Sequence, residues 1–147
     1  MEDIDDLAEL WYDLATMHEE IMEGYSLSDD PKSAWKEMME DFVENPNWRT
    51  FIAEDDDEIV GFVTVGLRKR ADFFRRQKMG MIMDLFVKKN RRGKGIGSAL
   101  VEASERWIKE KGFEVAVLTV APENQGAVDF WKEHGYRTYL YKQRKEL

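Results

Sequence analysis

No cysteine occurs among the 147 residues of the chain. Disulfides, thiolate nucleophiles and cysteine-based metal sites are therefore excluded, and a reducing cytoplasm is the setting such usage fits. Histidine is nearly as scarce: His18 and His134 are the only two. That is too few for a multi-histidine centre, so no metal is expected. No apolar run reaches the roughly 18–20 residues of a membrane span, so an integral membrane protein is not expected. The opening stretch from Met1 to Leu14 is acidic and amphipathic, whereas a signal peptide starts with positive charge and an unbroken apolar core. Internal repeats and low-complexity linkers are missing too. The length fits one domain, residues 1–147.

Basic charge is in short supply on balance: 22 Lys and Arg stand against 30 Asp and Glu, a formal net charge of −8. A domain that binds nucleic acid broadly carries the opposite balance, so no nucleic-acid partner is expected. The average conceals a division. Residues 1–60 hold 20 acidic and 3 basic side chains, and residues 61–147 hold 10 acidic and 19 basic. Such asymmetry suggests two surfaces that meet oppositely charged partners, although each half also needs charge simply to solvate its outer faces. What is plentiful is apolar and aromatic material, 43% and 12% of the chain, enough to build one core.

Periodicity divides the chain into elements. Ile4, Leu7, Ala8, Trp11, Leu14, Ala15, Ile21 and Met22 recur at helical spacing and predict a helix ending near Gly24. Asp30 before Pro31 reads as an N-cap followed by proline at the first helical position, and Asn45-Pro46 stops the second helix. The period then becomes that of a hairpin: strands over 48–53 and 59–65 flank the acidic turn 54–58. Arg68 to Lys78 is a basic loop or short helix carrying Phe73 and Phe74. Met79 to Val87 suits a central strand buried on both faces. A helix from Ile96 closing at Gly112, a strand over 114–120, a short helix from Gln125 to His134 and a last strand over 136–142 complete the order. This predicts a mixed α/β fold, a single twisted sheet flanked by helices.

The most informative segment joins the central strand to the third helix: Met83-Asp84-Leu85-Phe86-Val87, then Lys88 to Asn90, then Arg91-Arg92-Gly93-Lys94-Gly95-Ile96-Gly97-Ser98. A basic, glycine-spaced loop that opens a helix makes an anion site, because backbone N–H groups converge there with the positive end of the helix dipole. A phosphate-cradling P-loop would need a Ser or Thr after a glycine–lysine pair, which is lacking. A dinucleotide fingerprint would need glycine where Ser98 stands. The arrangement Arg92-x-x-Gly95-x-Gly97 remains, with a plain turn and helix cap as the bland reading.

On these residues the chain resembles the GCN5-related N-acetyltransferase (GNAT) family, whose acetyl-CoA pyrophosphate loop reads R/Q-x-x-G-x-G/A. The stretch Val120-Ala121-Pro122-Glu123-Asn124-Gln125-Gly126-Ala127, continuing through Phe130-Trp131 to Gly135-Tyr136, resembles a second signature of that family. The resemblance implies the acyl-CoA N-acyltransferase type of fold, with the family's first strand absent or truncated here. It implies acetyl-CoA as co-substrate, held by the backbone of Leu85, Phe86 and Val87 along the pantetheine and by Arg92, Gly93, Lys94, Gly95, Gly97 and Ser98 at the pyrophosphate. Asn124 would contact the coenzyme, cap the following helix, or do both. A backbone N–H at Leu85 would polarise the thioester carbonyl, often the largest single catalytic contribution.

The implied chemistry is direct attack by an amine, which needs a proton acceptor because an amine of pKa near 10 is mostly protonated at neutral pH. Asp84, a lone carboxylate in an apolar strand, is the candidate base, with substrate binding or a bulge cap as the other readings. Many family members carry a tyrosine general acid where this chain has Trp131, which would pack on the coenzyme or in the core. Tyr136 is a candidate substitute acid. The missing first strand would leave a sheet edge open and favour a homodimer. The acidic first part implies a cationic acceptor: a polyamine, an aminoglycoside-like amine or a peptide amine. The Met-Asp-Leu-Phe-Val stretch resembles diamine acetyltransferases and tilts this toward a small polyamine. Other classes remain: a silent acetyl-CoA sensor, or an interaction module that docks a basic partner.

Overall fold

A computed structural model describes residues 3–147. Helix α1 (Ile4–Ile21) places Leu7, Ala8, Leu10, Leu14 and Ala15 on its buried side. Helix α2 (Pro31–Glu44) starts where Asp30 accepts a hydrogen bond from the Ser33 N–H at 3.3 Å, and Pro31 occupies the first turn, where a missing N–H costs nothing. The exposed pairs Glu9–Lys32 and Asp5–Lys36 join the two helices.

Strands β1 (Trp48–Asp55) and β2 (Glu58–Lys69) form the expected hairpin. Both residues of its tight turn, Asp56 and Asp57, have positive φ, at 51° and 62°, the mirror-image turn whose twist suits adjoining strands. Strand β3 (Lys78–Val87) pairs antiparallel with β2, and β4 (Val115–Val117) pairs parallel with β3, giving the order β1-β2-β3-β4. Helix α3 (Ile96–Glu110) precedes β4, and α4 (Gln125–Glu133) follows it.

Alternation along β2 sorts the core into two layers. Phe62 packs with Leu7, Trp35, Met39 and Phe86 beneath α1 and α2, while Val63 and Val65 pack with Leu100, Val101, Trp107 and Ile108 of α3. At Gly80, an added Cβ would lie 2.3 Å from the Ile108 side chain, so α3 rests directly on the β3 backbone.

Three sequence expectations change. The basic segment is shorter as a loop, because β2 extends to Lys69 and β3 starts at Lys78. The strand expected over 114–120 pairs only at Val115–Val117. No strand forms over 136–142, although its alternation suits one: a ladder needs a partner, and the short β4 leaves this stretch with none. Tyr139, Leu140 and Tyr141 are exposed, and the tail continues to Gly24, where an added Cβ would lie 2.3 Å from the Arg144 guanidinium carbon. Among the described residues no strand precedes α1, so β1 is an edge strand, as expected.

Candidate active site

The sheet is interrupted at one place in β3. Thr64 pairs with Met83 and Phe62 with Phe86, so the single residue Val63 of β2 faces two residues of β3, Asp84 and Leu85. That is a β-bulge, and Asp84 adopts φ 50° to make it. Aspartate tolerates this left-handed region better than most side chains. On the other side of β3, pairing with β4 stops at Met81–Val117. Among the described residues, the backbone from Ile82 to Val87 therefore has no strand beside it there. Bulge and parting coincide along β3, so Asp84 and Leu85 stand where the sheet is least complete.

Beyond β3 the chain turns through Lys89–Arg91, and Arg92 folds back so that its Nε donates to the Val87 carbonyl at 2.9 Å. Gly93 and Gly95 have φ of 78° and 82°, values that glycine adopts without strain. Among the described residues no side chain caps α3. Its first internal bond runs from the Ala99 N–H to the Gly95 carbonyl at 3.0 Å, which leaves the N–H groups of Ile96, Gly97 and Ser98 without helical acceptors. Lys94 is exposed beside them, whereas Arg91 lies 3.3 Å from Asp55 and 3.6 Å from Glu58 in ion pairs with the acidic hairpin. Lys88 also pairs with Glu58.

A groove of about 390 Å³ opens on the α1–α2 side of Asp84. Trp11 and Trp35 stack at its wall, with ring centroids 5.4 Å apart and 14° between planes, and Tyr25 and Met38 also border it. Asp84 is partly buried, and desolvation pushes its carboxyl above the ordinary range. The Trp35 indole N–H and His18 oppose that rise. The indole N–H is itself buried and closes no hydrogen bond of good geometry, so it is an unspent donor beside the carboxylate. The Tyr25 phenol is raised by burial, then by Asp84 and Glu19. Glu19 accepts from the Leu27 N–H at 2.7 Å and so fixes the loop that carries Tyr25. A second concavity of about 370 Å³, bordered by Arg75, Arg76 and Glu114, touches neither the bulge nor the glycine loop.

The profile of the acetyltransferase (GNAT) family matches residues 11–136. The chain belongs to the GNAT family. It is 33% identical over 86 residues to an uncharacterized N-acetyltransferase of Methanocaldococcus jannaschii, an alignment covering 58% of this chain and 38% of that relative. The chain thus spans less than two thirds of the length of the first curated relatives it matches. Among solved structures, a mutant of a Bacillus halodurans protein aligns with TM-score 0.86 at 22% identity, covering 99% of this chain and 94% of the other. A predicted acetyltransferase of Clostridium acetobutylicum, solved with acetyl-CoA, aligns with TM-score 0.79 at 16% identity, covering 99% and 91%. These structures show the same fold.

Against the GNAT pattern, the expected residues separate into those at the break in the sheet and those away from it. Asp84, Leu85, Phe86 and Val87 lie at the bulge and at the end of β3 that is paired with β2 but open on its β4 side, and Arg92 to Ser98 form the adjoining loop and the start of α3. Asn124 caps α4, accepting from the Ala127 N–H at 3.2 Å. Trp131 is buried and packs edge-on against Phe130 and Tyr136 in the α3-side core. Tyr136 does not border the groove. Its hydroxyl is buried without a well-aligned partner, and burial followed by nearby Glu105 raises its pKa, the wrong direction for an acid.

Sequence reasoning missed two features. Trp11, Tyr25 and Trp35 join Asp84 only in three dimensions, and no local spacing marks them. His134, at the end of α4, ties α3 to α4. Its Nδ1 lies 2.8 Å from the Phe130 carbonyl, which can only accept, so Nδ1 carries a proton. In the neutral ring the Ser98 hydroxyl then donates to Nε2 at 2.9 Å.

Proposed function

We propose that this protein transfers the acetyl group of acetyl-CoA to a primary amine that arrives as a cation. The observation that carries this reading is the meeting of three features at one break in β3: the Asp84 carboxylate in a groove, an unpaired strand backbone, and the uncapped start of α3.

The residues present suit acetyl-CoA, which supplies an activated thioester. The free N–H groups of Ile96, Gly97 and Ser98, with Lys94 beside them, are donors for a diphosphate. The backbone between Leu85 and Val87 offers hydrogen bonds to an extended arm, and an N–H at the bulge lies beside Asp84 to meet a developing oxyanion. Asp84 binds the ammonium and takes one proton from it. The freed amine nitrogen forms the new C–N bond as the C–S bond breaks, and the second proton passes through water to the departing thiolate. A thiol of pKa near 8.5 leaves without an assigned acid, so Trp131 and Tyr136 serve as packing.

The reading extends to a cytoplasmic setting and to a homodimer joined along the open edge of β1, for which light scattering should give twice the chain mass. A thiol-release assay with acetyl-CoA over a panel of amines tests the activity. Turnover above hydrolysis supports it. Coenzyme binding by isothermal titration without turnover of any amine would instead favour a sensor, the reading that the absent tyrosine acid favours.

A further inference from the structure

The groove contradicts the simplest inference from charge. The first 60 residues are strongly acidic, yet among the described residues Asp84 is the only charged side chain that borders the groove. Several acids of the first half have other partners. Glu9 and Asp5 hold Lys32 and Lys36, Glu19 holds the Leu27 N–H, and Asp55 and Glu58 hold Arg91 and Lys88 near the glycine loop. The rest of the lining is mostly aromatic and apolar, with the Trp11–Trp35 stack, Tyr25 and Met38 beside the hydroxyls of Ser26 and Ser28.

A ligand with several spaced positive charges would leave all but one of them against this wall, where desolvating an unpaired charge is costly. One ammonium with an apolar body fits instead. The charge pairs with Asp84, and the apolar body covers indole and phenol surface. The volume falls within the range of small-molecule sites.

We propose that the acceptor is a small primary amine bearing a single positive charge and an aromatic or bulky apolar body. This rests on the acetyltransfer reading above and narrows its acceptor away from polyamines and aminoglycosides.

The test uses the whole chain with acetyl-CoA and four probes: 2-phenylethylamine, spermidine, an aminoglycoside and a short peptide with a free N-terminus. Thiol release should show kcat/KM for 2-phenylethylamine at least tenfold above each of the others. Trp11→Leu, which keeps an apolar residue on α1, should raise its KM severalfold or more while the acetyl-CoA Kd from isothermal titration stays unchanged. Ser28→Asp should improve spermidine relative to 2-phenylethylamine by adding a second carboxylate at the groove. Preferential turnover of spermidine, the aminoglycoside or the peptide would overturn this proposal and leave acetyltransfer standing. Failure of all four amines to react would sink both.

Discussion

The two ends of the proposed site are made of different material. At the glycine loop the groups that matter are backbone N–H groups, presented by residues adjacent in the chain. In the groove they are side chains from α1, the loop after it, α2 and β3, which meet only when the fold closes. The loop can be built locally because glycine conformation and helix geometry suffice to aim its donors. The groove depends on the packing of two helices against the sheet. Damage to either end should therefore have its own signature, with coenzyme affinity lost at the loop and acceptor chemistry lost in the groove.

The sharpest break in that comparison is Asp84→Asn. It keeps shape and removes both the counter-charge and the proton acceptor, so kcat/KM for the amine should fall by about 10²–10³-fold, with the acetyl-CoA Kd unchanged. Wild-type activity should fall as pH drops through the raised range of Asp84, and that acid limb should vanish in the variant. Stability should move the other way. Burial raises the Asp84 pKa, so between its unfolded and folded values the native chain holds more protons, and wild-type stability declines as pH rises. Asparagine also accepts the φ of 50°. Thermal melts should therefore place Asp84→Asn above wild type at neutral pH, with the gap closing below the ordinary carboxylate range.

Gly95→Ala tests the other end. An added Cβ meets nothing within 4 Å, so its cost is backbone strain at φ 82°, about 1–2 kcal/mol. The acetyl-CoA Kd should rise about tenfold while the acceptor KM holds, and Gly95→Asn should recover part of the loss because asparagine visits that conformation. Equal losses in both variants, or a shifted acceptor KM, would mean that the two ends are not separable.

The same contrast explains what the sequence discloses. Gly93, Gly95 and Gly97 with Arg91, Arg92 and Lys94, where a buried strand runs into a helix, announce an anion site, since each glycine has a local reason: two have positive φ, and at Gly97 an added Cβ would lie 3.3 Å from the Phe130 ring. Asp84 is visible because a carboxylate is rare in an apolar strand. Trp11 and Trp35 are not visible as site residues, because each also satisfies the helical stripe that predicts a core. Strand-like alternation over 136–142 misleads for the opposite reason: it records what those residues tolerate and says nothing about whether a partner lies beside them. Charge totals mislead similarly. Within the acidic half, Asp5, Glu9, Asp55 and Glu58 pair with Lys36, Lys32, Arg91 and Lys88, and none of the four borders the groove.

That distribution separates two neighbouring cations. Lys94 is exposed beside the free N–H groups, and Arg91 is held by Asp55 and Glu58. Lys94→Met should weaken acetyl-CoA binding severalfold at low salt, and less as ionic strength rises. Arg91→Met should leave the Kd alone and lower stability by about 1 kcal/mol, the scale of a partly exposed ion pair.

The smallest effect is expected at Tyr136, and it decides whether the chemistry is confined to the two ends already compared. A general acid must release its proton readily and must reach the departing sulfur. Tyr136 instead sits edge-on to Trp131 at 5.2 Å, its hydroxyl buried and its pKa raised by burial and Glu105. Tyr136→Phe removes a buried hydroxyl that has no well-aligned partner, a change that is neutral or stabilising by about 1 kcal/mol. kcat and the basic limb of its pH profile should be unchanged in thiol-release assays. A tenfold fall in kcat, in a variant that melts at or above the wild-type temperature, would return the phenol to the chemistry and open a third part of the site on the α3 side of the sheet.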